Sequence, residues 1–159
     1  YMKIINGVRI MNKFNILAFT ICLFLTGNVY SAQHEVKMLS SHDGQMMVFE
    51  PPVINIQPGD TVRWLNANPG HNTASIDSMI PSNAKGWNGK MNEEIVVKFT
   101  EQGVYGYKCT PHYILGMVGL VIVGSSDSNF EKVKVLAEEE QSKFATNKNR
   151  FSEYFSLVK

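Results

Sequence analysis

Two apolar strands and the loop that joins them are encoded by Gly103-Val-Tyr-Gly-Tyr-Lys-Cys-Thr-Pro-His-Tyr-Ile-Leu-Gly-Met-Val-Gly-Leu-Val-Ile-Val123. Tyr105, Tyr107 and Cys109 are spaced two residues apart, which puts all three on one face of an extended strand. Pro111 then interrupts the strand pattern, and a continuous apolar run follows. The segment therefore predicts two strands, over Gly103–Thr110 and Met117–Val123, joined by a short loop.

Six segments upstream have the same character, being short and rich in β-branched and aromatic residues. They are Glu35–Leu39, Gln45–Glu50, Val53–Gln57, Thr61–Asn66, Asn72–Ile76 and Glu93–Thr100. Turn residues separate most of them, and Asp77–Met91 is irregular enough to be a long connection. Short strands punctuated in this way predict an antiparallel β-sandwich of about eight strands, not alternating βαβ units. We assign residues 33–124 to this sandwich.

After residue 124 the apolar residues follow helical spacing, which predicts a C-terminal pair of α-helices. Ser128 and Glu131 have the spacing of a capping box at the start of the first helix. We expect helices over about 128–140 and 142–157 that pack aromatic side chains on the sandwich. The acidic run Glu138–Glu140 is interpreted as a solvated face. Residues 125–159 thus form a helical extension.

Residues 1–32 have the pattern of a secretory signal peptide. Lys3, Arg9 and Lys13 are the only charged residues before residue 33, and the last of them directly precedes the apolar run 14–26. That run is shorter than the span of about 20 apolar residues that crosses a membrane, and small residues follow at 31 and 32. We predict export to the periplasm and no stable membrane anchor after removal of the signal. A true start at Met11 and an uncleaved anchor are the alternatives.

Removal of this segment leaves 12 basic and 14 acidic residues, a net charge of −2 with neutral histidines. This charge lacks the concentrated basic face of nucleic-acid binders, so we expect no nucleic-acid partner. Cys22 would be lost with the signal, which leaves Cys109 as the single cysteine and excludes an internal disulfide. A free thiol in an oxidising compartment is prone to oxidation, and a metal bond would protect it.

The loop between the last two strands concentrates metal-binding side chains. Cys109, His112 and Met117 have Cys-x2-His-x4-Met spacing, and His71 follows a turn-rich segment upstream. A thiolate, two imidazoles and a weak axial thioether are the donors of mononuclear copper sites that transfer single electrons. We therefore predict one copper ion held by these four residues. Zinc is the alternative metal, although a thioether is a poor ligand for it.

Further motifs match a known family along residues 33–159. They are Met47-Val-Phe-Glu-Pro51, Pro58-Gly-Asp-Thr-Val62, Gly70-His-Asn72, Met79-Ile-Pro81, Gly103-Val-Tyr105, Lys108-Cys-Thr-Pro-His-Tyr113 and Gly116-Met117. In these motifs the chain resembles the pseudoazurins, blue copper proteins of the cupredoxin family. The resemblance implies a cupredoxin Greek-key β-sandwich, a periplasmic electron carrier, and His71, Cys109, His112 and Met117 as copper ligands.

The resemblance also implies which residues surround the ligands. The Asn72 backbone N–H would donate to the Cys109 sulfur and so tune the potential. Met47 would pack near the His112 ring, and Pro81 would help close the site beside His71. Pro111 would shape the ligand loop between Cys109 and His112.

By the same resemblance, electrons leave through His112. Its expected apolar rim, which would dock a redox protein, consists of Met47, Pro51, Pro81, Pro111, Ile114 and Leu115. We expect Ile114, Leu115, Lys108 and Lys90 to contact partners such as copper nitrite reductase or a c-type cytochrome. Lysines around this rim are fewer than is common in the family, so steering by charge should be weak.

A copper enzyme would need histidine pairs that this sequence does not show. Copper enzymes keep an open coordination position and commonly carry His-x-His pairs, but the four histidines, at 34, 42, 71 and 112, form no such pair. We therefore predict an electron-transfer protein and not an enzyme, with copper storage or a chaperone role as the alternative. A second metal site is a further hypothesis, because cleavage after Ser31 would expose Ala32-Gln33-His34, whose nitrogens suit Cu(II) or Ni(II).

Overall fold

The computed structural model describes residues 30–158, in which eight strands precede two α-helices. The strands are β1 (Gln33–His42), β2 (Gln45–Glu50), β3 (Val53–Ile56), β4 (Thr61–Leu65), β5 (Ala74–Ser75), β6 (Ile95–Lys98), β7 (Gly103–Lys108) and β8 (Val118–Val123). The helices are α1 (Phe130–Ser142) and α2 (Arg150–Phe155), and short 3-10 turns cover Asp77–Met79 and Tyr113–Leu115. The charged and apolar parts of the predicted signal peptide lie outside the described residues. Within 30–158, no helix combines the length and the apolar character needed to cross a membrane.

The strands form two four-stranded sheets, with the orders β2-β1-β4-β6 and β3-β8-β7-β5. The predicted class, an eight-stranded sandwich with two C-terminal helices, is confirmed. The prediction of antiparallel pairing is wrong for two pairs, because β1 runs parallel to β4 and β3 runs parallel to β8. Alternation along a strand is the same in parallel and antiparallel sheets, so the sequence pattern did not encode these directions.

The second sheet is buried on both faces, which explains the unbroken apolar run of β8. Val121 and Val123 face the core between the sheets, which also contains Tyr105, Tyr107 and Cys109. The alternate β8 residues face a second core beneath the helices; they are Val118, Leu120 and Ile122. The single face predicted for Tyr105, Tyr107 and Cys109 is thus the inner face of the sandwich.

The start of α1 differs from the predicted capping box. Asn129 occupies the N-cap position, and no side chain caps the helix there. The Asn129 amide instead accepts from the Val104 N–H at 2.8 Å and donates to the Val104 carbonyl at 2.9 Å. Ser128 Oγ donates to the Gln102 carbonyl at 3.3 Å. Bonds to the neighbouring sheet therefore replace the local cap that the sequence pattern indicates.

Asp60 attaches the start of β1 to the turn before β4. Its carboxylate accepts from Ala32 N at 2.8 Å and Gln57 N at 3.0 Å, and it contacts His34 Nε2 at 2.9 Å. The Gln57 backbone N–H and the His34 side chain lower the pKa of Asp60 to about 2. The Ala32 backbone N–H and the His34 imidazole are thus bound to Asp60, and Gln33 and His34 pair with β4. These contacts belong to the chain with Ser31 still attached, so the Ala32-Gln33-His34 metal site stays a hypothesis.

Candidate metal centre

The register of β7 and β8 determines where Cys109 and Met117 lie. Tyr107 faces Gly119 and Lys108 faces Val118, so the next pair in this antiparallel ladder is Cys109 with Met117. Cys109 N donates to the Met117 carbonyl at 2.9 Å, which extends the ladder by one bond. Both side chains are fully buried in the core between the sheets. The sequence spacing of the two residues is therefore a consequence of strand pairing.

His71 reaches the same end of the sandwich through β5. Ala74 pairs with Lys108, so the residues before β5 lie beside those after β7. Asn72 joins the two segments, because its Oδ1 accepts from Thr110 N at 2.7 Å and its Nδ2 donates to Thr110 Oγ1 at 3.1 Å and to the Gly89 carbonyl at 2.9 Å. These bonds hold His71 next to Cys109, although 38 positions separate the two residues in the chain.

Three donor atoms converge at this end of the sandwich. Cys109 Sγ lies 3.7 Å from His71 Nδ1 and 3.5 Å from His112 Nδ1, and the two nitrogens are 3.1 Å apart. A point equidistant from all three atoms is about 2.0 Å from each, within the range of about 2.0–2.3 Å typical of metal bonds to nitrogen and sulfur. Among the described residues, this is the one group of three His, Cys, Asp or Glu side chains whose donor atoms converge in this way.

Met117 has the surroundings that a thioether ligand needs. Its side chain is fully buried, and its N–H donates to the His112 carbonyl at 3.1 Å. Its own carbonyl accepts from Cys109, so the Met117 backbone is bonded to both neighbours in the cluster. One thiolate, two imidazoles and a nearby thioether suit copper in both oxidation states better than they suit zinc. The residues present therefore fit the copper ion that the sequence predicts.

The two histidines differ in exposure. His71 is 1% exposed, and its Nε2 lies 3.2 Å from Ser40 Oγ. We assign this contact as an Nε2–H donor to the hydroxyl, which leaves the Nδ1 lone pair directed at the cluster. Burial, and to a smaller extent the nearby His112, lowers the pKa of His71, which favours the neutral, metal-binding form. His112 is half-buried and follows the exposed Pro111, so it is the ligand nearer to solvent.

The Cys109 sulfur is buried away from solvent but still accepts hydrogen bonds. Burial raises the pKa of the thiol, while hydrogen bonds from the backbone N–H groups of Asn72 and His112 oppose that rise. The Asn72 N–H is the donor that the family resemblance implies. Backbone donors of this kind stabilise negative charge on the sulfur. A bound cation in the same pocket would favour the thiolate further.

The prediction that Pro81 lies beside His71 is wrong. Pro81 is buried against Gly103, at the first residue of β7, whereas Cys109 follows the last residue of that strand. Six residues of extended chain separate the two ends by about 20 Å. Pro81 therefore closes the opposite end of the sandwich and is not part of the apolar rim around His112. A motif match along the chain does not show at which end of a strand the motif packs.

The remaining predicted neighbours lie at the metal end. Met47 is half-buried against the core that contains Cys109 and Met117, and it has a φ of 53°. Pro111 is exposed between Cys109 and His112. The specific contact between Met47 and the His112 ring, and the effect of Pro111 on the loop, stay predictions.

The predicted docking residues lie in or near the segments that carry the two histidines. Ile114 is 53% exposed and Leu115 is half-buried, and both belong to the short 3-10 turn after His112. Lys108 Nζ stands 4.7 Å from the centroid of the Tyr113 ring. Lys90 is exposed in the loop whose Asn92 N–H donates to the His71 carbonyl at 2.8 Å. Ile114 and Leu115 thus belong to the turn directly after His112 and Lys108 lies beside Tyr113, whereas Lys90 belongs to the loop that contacts His71; partner docking by these residues stays a prediction.

The sequence did not reveal that the C-terminal extension contacts the ligand loop. Arg150 is 2% exposed and donates through Nη1 to the carbonyls of Met47 and Gly116, each at 2.8 Å. Tyr113 Oη donates to Glu140 Oε2 at 2.8 Å. The interpretation of Glu138–Glu140 as a solvated face is thus wrong for Glu140, which is half-buried. The sequence of a polar helix does not distinguish a charged residue that contacts the ligand loop from one that faces solvent.

Comparison with known proteins agrees with the geometry. The family model described as copper binding proteins of the plastocyanin/azurin family matches residues 36–124. The pseudoazurin of Methylorubrum extorquens strain AM1 is 42% identical over 121 residues, which cover 75% of this chain and 82% of that protein. The pseudoazurin of Paracoccus pantotrophus is 38% identical over 112 residues, which cover 70% of this chain and 77% of that protein.

Solved structures extend the similarity to three dimensions. The pseudoazurin of Methylobacterium extorquens AM1 matches with a TM-score of 0.69 and 38% identity, over 80% of this chain and 99% of that one. The pseudoazurin of Hyphomicrobium denitrificans matches with a TM-score of 0.66 and 28% identity, over 80% and 98%. Copper as the cofactor and electron transfer in place of catalysis are thereby confirmed. The chain belongs to the copper-binding plastocyanin/azurin family and, within it, to the pseudoazurins, the blue copper electron carriers.

Proposed function

We propose that His71, Cys109, His112 and Met117 hold one copper ion, and that the chain carries single electrons between redox proteins of the periplasm. The observation that carries this assignment is the convergence of three donor atoms, 3.1 to 3.7 Å apart, from buried His71, buried Cys109 and half-buried His112, next to the buried thioether residue Met117. The bound ion would supply a one-electron couple between Cu(I) and Cu(II).

The protein's contribution is a donor set that does not rearrange. Asn72 joins the segments that carry His71 and Cys109, while Met117 is bonded through its backbone to both Cys109 and His112. Burial of the sulfur and thioether excludes water, and Ser40 orients the His71 ring. A cage that has the same shape in both oxidation states keeps reorganisation small, so electrons move without bond breaking.

We propose that His112 is the exit and that the apolar surface around it docks the partner. Pro111, Ile114 and Leu115 would form this surface, with Lys108 and Lys90 near its edge. Redox encounters of this kind are brief and bury less than about 1,200 Å² in total. Copper nitrite reductase and c-type cytochromes are the proposed partners. The small number of lysines predicts a weak dependence of the association rate on salt.

We also propose the domain order of a secretory signal at 1–32, the sandwich at 33–124 and the helical extension at 125–159. Export to the periplasm rests on the positive start, the short apolar run and the small residues at 31 and 32. N-terminal mass spectrometry of the exported protein tests this proposal. We expect a chain that starts at Ala32 or Gln33, and a retained segment 14–26 would contradict it.

The copper assignment is tested by the optical spectrum of protein loaded with Cu(II). We expect an intense visible band from thiolate-to-copper charge transfer that bleaches on reduction and returns on oxidation. Met117→Leu should keep the band but shift its energy and the reduction potential, because the axial ligand tunes both. Met79→Leu is the matched control, since Met79 is equally buried but packs against Gly106 and the second core.

Copper storage is the alternative that this experiment separates. A storage protein would take up copper but fail to cycle reversibly between the coloured and bleached states. Equal spectral shifts in Met117→Leu and Met79→Leu would contradict the assignment of Met117 as a ligand.

The docking proposal is tested by stopped-flow electron transfer with a c-type cytochrome and with copper nitrite reductase. Ile114→Ser removes an apolar side chain that is 53% exposed beside His112, and Val96→Ser removes one that is 54% exposed on β6. We expect the first variant to lower the second-order rate constant about tenfold, the loss of about 1.4 kcal/mol of apolar contact, and the second to change nothing. Equal rates for both variants would contradict docking at His112.

A further inference from the structure

The C-terminal extension binds three consecutive carbonyl groups of the ligand loop. Ala145 N donates to the Ile114 carbonyl at 2.7 Å. Asn147 Nδ2 donates to the Leu115 carbonyl at 2.8 Å, and Thr146 Oγ1 does so at 3.1 Å. Arg150 Nη1 donates to the Gly116 carbonyl, the group directly before Met117. The backbone between His112 and Met117 is therefore fixed from outside the sandwich.

Arg150 is the one residue of this set that also reaches a second segment. Its Nη1 donates to the Met47 carbonyl at 2.8 Å, and both terminal nitrogens contact the Met46 carbonyl, at 3.2 and 3.3 Å. Met47 and Gly116 both have positive φ, 53° and 78°. A planar guanidinium can donate to several acceptors in a fixed geometry. Arg150 thus links the loop before Met117 to the turn that presents Met47.

The charge of Arg150 is buried without a carboxylate partner. The side chain is 2% exposed, and the ion pairs found among residues 30–158 involve other residues. Its hydrogen-bond acceptors are neutral backbone carbonyls. A buried charge is tolerated when hydrogen bonds satisfy it, but its field on nearby groups is screened less than at the surface. That field acts on whatever ion the neighbouring donors hold.

We propose that Arg150 is a positioning residue for the copper site. It holds the Gly116 carbonyl so that Met117 and His112 keep their places before a metal binds. Its positive charge then favours the reduced state, because Cu(I) carries one positive charge less than Cu(II). The first role concerns the protein alone, whereas the second rests on the proposed copper function.

Amide hydrogen exchange in the metal-free protein tests the first role. Gly116 N donates to the Tyr113 carbonyl and Met117 N to the His112 carbonyl, so both amides report opening of the loop. Arg150→Met keeps an unbranched apolar stem at this position and removes both the charge and the donors. We expect exchange at Gly116 and Met117 to rise at least tenfold relative to the Leu120 amide, which bonds to the Pro52 carbonyl in the sheet.

Val133→Ala is the control for a general loss of stability. Val133 is fully buried on the inner face of α1, and its truncation should raise exchange across the protein without favouring the loop. If Arg150→Met raises exchange at Gly116, Met117 and Leu120 by the same factor, the positioning role is wrong. If Arg150→Met does not fold, Arg150→Lys takes its place in this test. Lysine keeps the positive charge but lacks the planar guanidinium group, so we expect the same selective rise in exchange at Gly116 and Met117.

Redox titration of the copper-loaded variants tests the second role. We expect Arg150→Met to weaken the preference for Cu(I) over Cu(II) about tenfold, which is about 59 mV in a one-electron potential. Arg150→Lys should recover most of that loss, while Val133→Ala should stay at the wild-type value. A potential that is equal in Arg150→Met and wild type would overturn the electrostatic role. If the wild-type protein lacks the thiolate band, the copper proposal fails, and the exchange result still decides the first role.

Discussion

The two segments that supply the metal donors are held in different ways. The His71 segment is fixed from within the sandwich: Ser40 N donates to Asn68 Oδ1 at 2.9 Å, Asn68 N to the Met38 carbonyl at 3.1 Å, and Gly70 N to Asn92 Oδ1 at 2.6 Å. In the loop from Cys109 to Met117, the carbonyls of Ile114, Leu115 and Gly116 are instead bound by the C-terminal extension. The His71 segment is therefore fixed by contacts within the sandwich, whereas the part of the loop after His112 also depends on a distant part of the chain.

This difference matches the different tasks of the two histidines. His71 is buried and needs only to stay in place, so contacts with β1 and the loop before β6 suffice. His112 is half-buried beside the exposed Pro111, and under the proposed docking at His112 a sandwich that covered this loop would block the partner's access. Because the extension binds the backbone carbonyls of this loop, the loop is held in place while Pro111 and Ile114 stay exposed.

Cys109→Ala should abolish the visible band and reversible reduction, because the thiolate is the donor of the charge transfer. Absorption spectroscopy after addition of Cu(II) measures this loss directly. His71→Ala, in the other segment, should weaken the band and leave the sulfur able to bind metal. An unchanged spectrum in Cys109→Ala would show that the two segments do not share one metal through this sulfur.

A pair of glycine variants sharpens the contrast between the segments. Gly70 and Gly116 both have positive φ, 94° and 78°. A methyl group at Gly70 would meet open space, whereas one at Gly116 would lie 3.1 Å from Asn147 Cβ and 3.2 Å from Phe144 Cδ2. We expect urea unfolding to show a loss of about 1–2 kcal/mol for Gly70→Ala, from strain alone, and about 2–4 kcal/mol for Gly116→Ala, from strain and crowding. Equal losses would mean that the extension does not press on the ligand loop.

Asn72→Ala should disconnect the two segments. The substitution removes the bonds to Thr110 and Gly89 and leaves buried polar groups without partners, which costs about 1–3 kcal/mol. Urea unfolding of the metal-free protein measures this loss, and copper loading should show a lower affinity because His71 is no longer held beside Cys109. Asn88→Ala, at an exposed position of the same neighbourhood, is the control. A copper affinity equal to wild type would contradict the linking role.

Acid should destabilise the protein through a group remote from both segments. The pKa of Asp60 is about 2 in the folded protein and about 3.9 when the chain unfolds. A carboxyl with a lowered pKa contributes stability above its unfolded value, and this contribution is lost as the pH falls from about 4 to about 2. Unfolding of wild type and Asp60→Asn over this range should show a smaller pH slope in the variant. The same slope in both proteins would contradict the role of Asp60.

Local chemistry explains why so much of the centre could be predicted. Strands β2 and β7 start at the predicted residues, because alternation and turn residues act over only a few positions. The donors His71, Cys109 and His112 were identified from residue type and spacing, and their donor atoms lie within 3.7 Å of one another. Donor softness depends on the side chain itself, so copper could be predicted without any structure.

The sequence alone thus determined the strand pattern, the kind of metal and the residues able to bind it, since each depends on a side chain and its near neighbours. Tertiary structure decided the parallel pairing of β1 with β4, the position of Pro81 at the far end, and the replacement of the Ser128 cap by bonds from Asn129. It also decided that Arg150 is buried against the ligand loop. These features depend on which distant segments meet. The buried charge of Arg150, for example, is satisfied by the carbonyls of Met46, Met47 and Gly116, which come from two other parts of the chain.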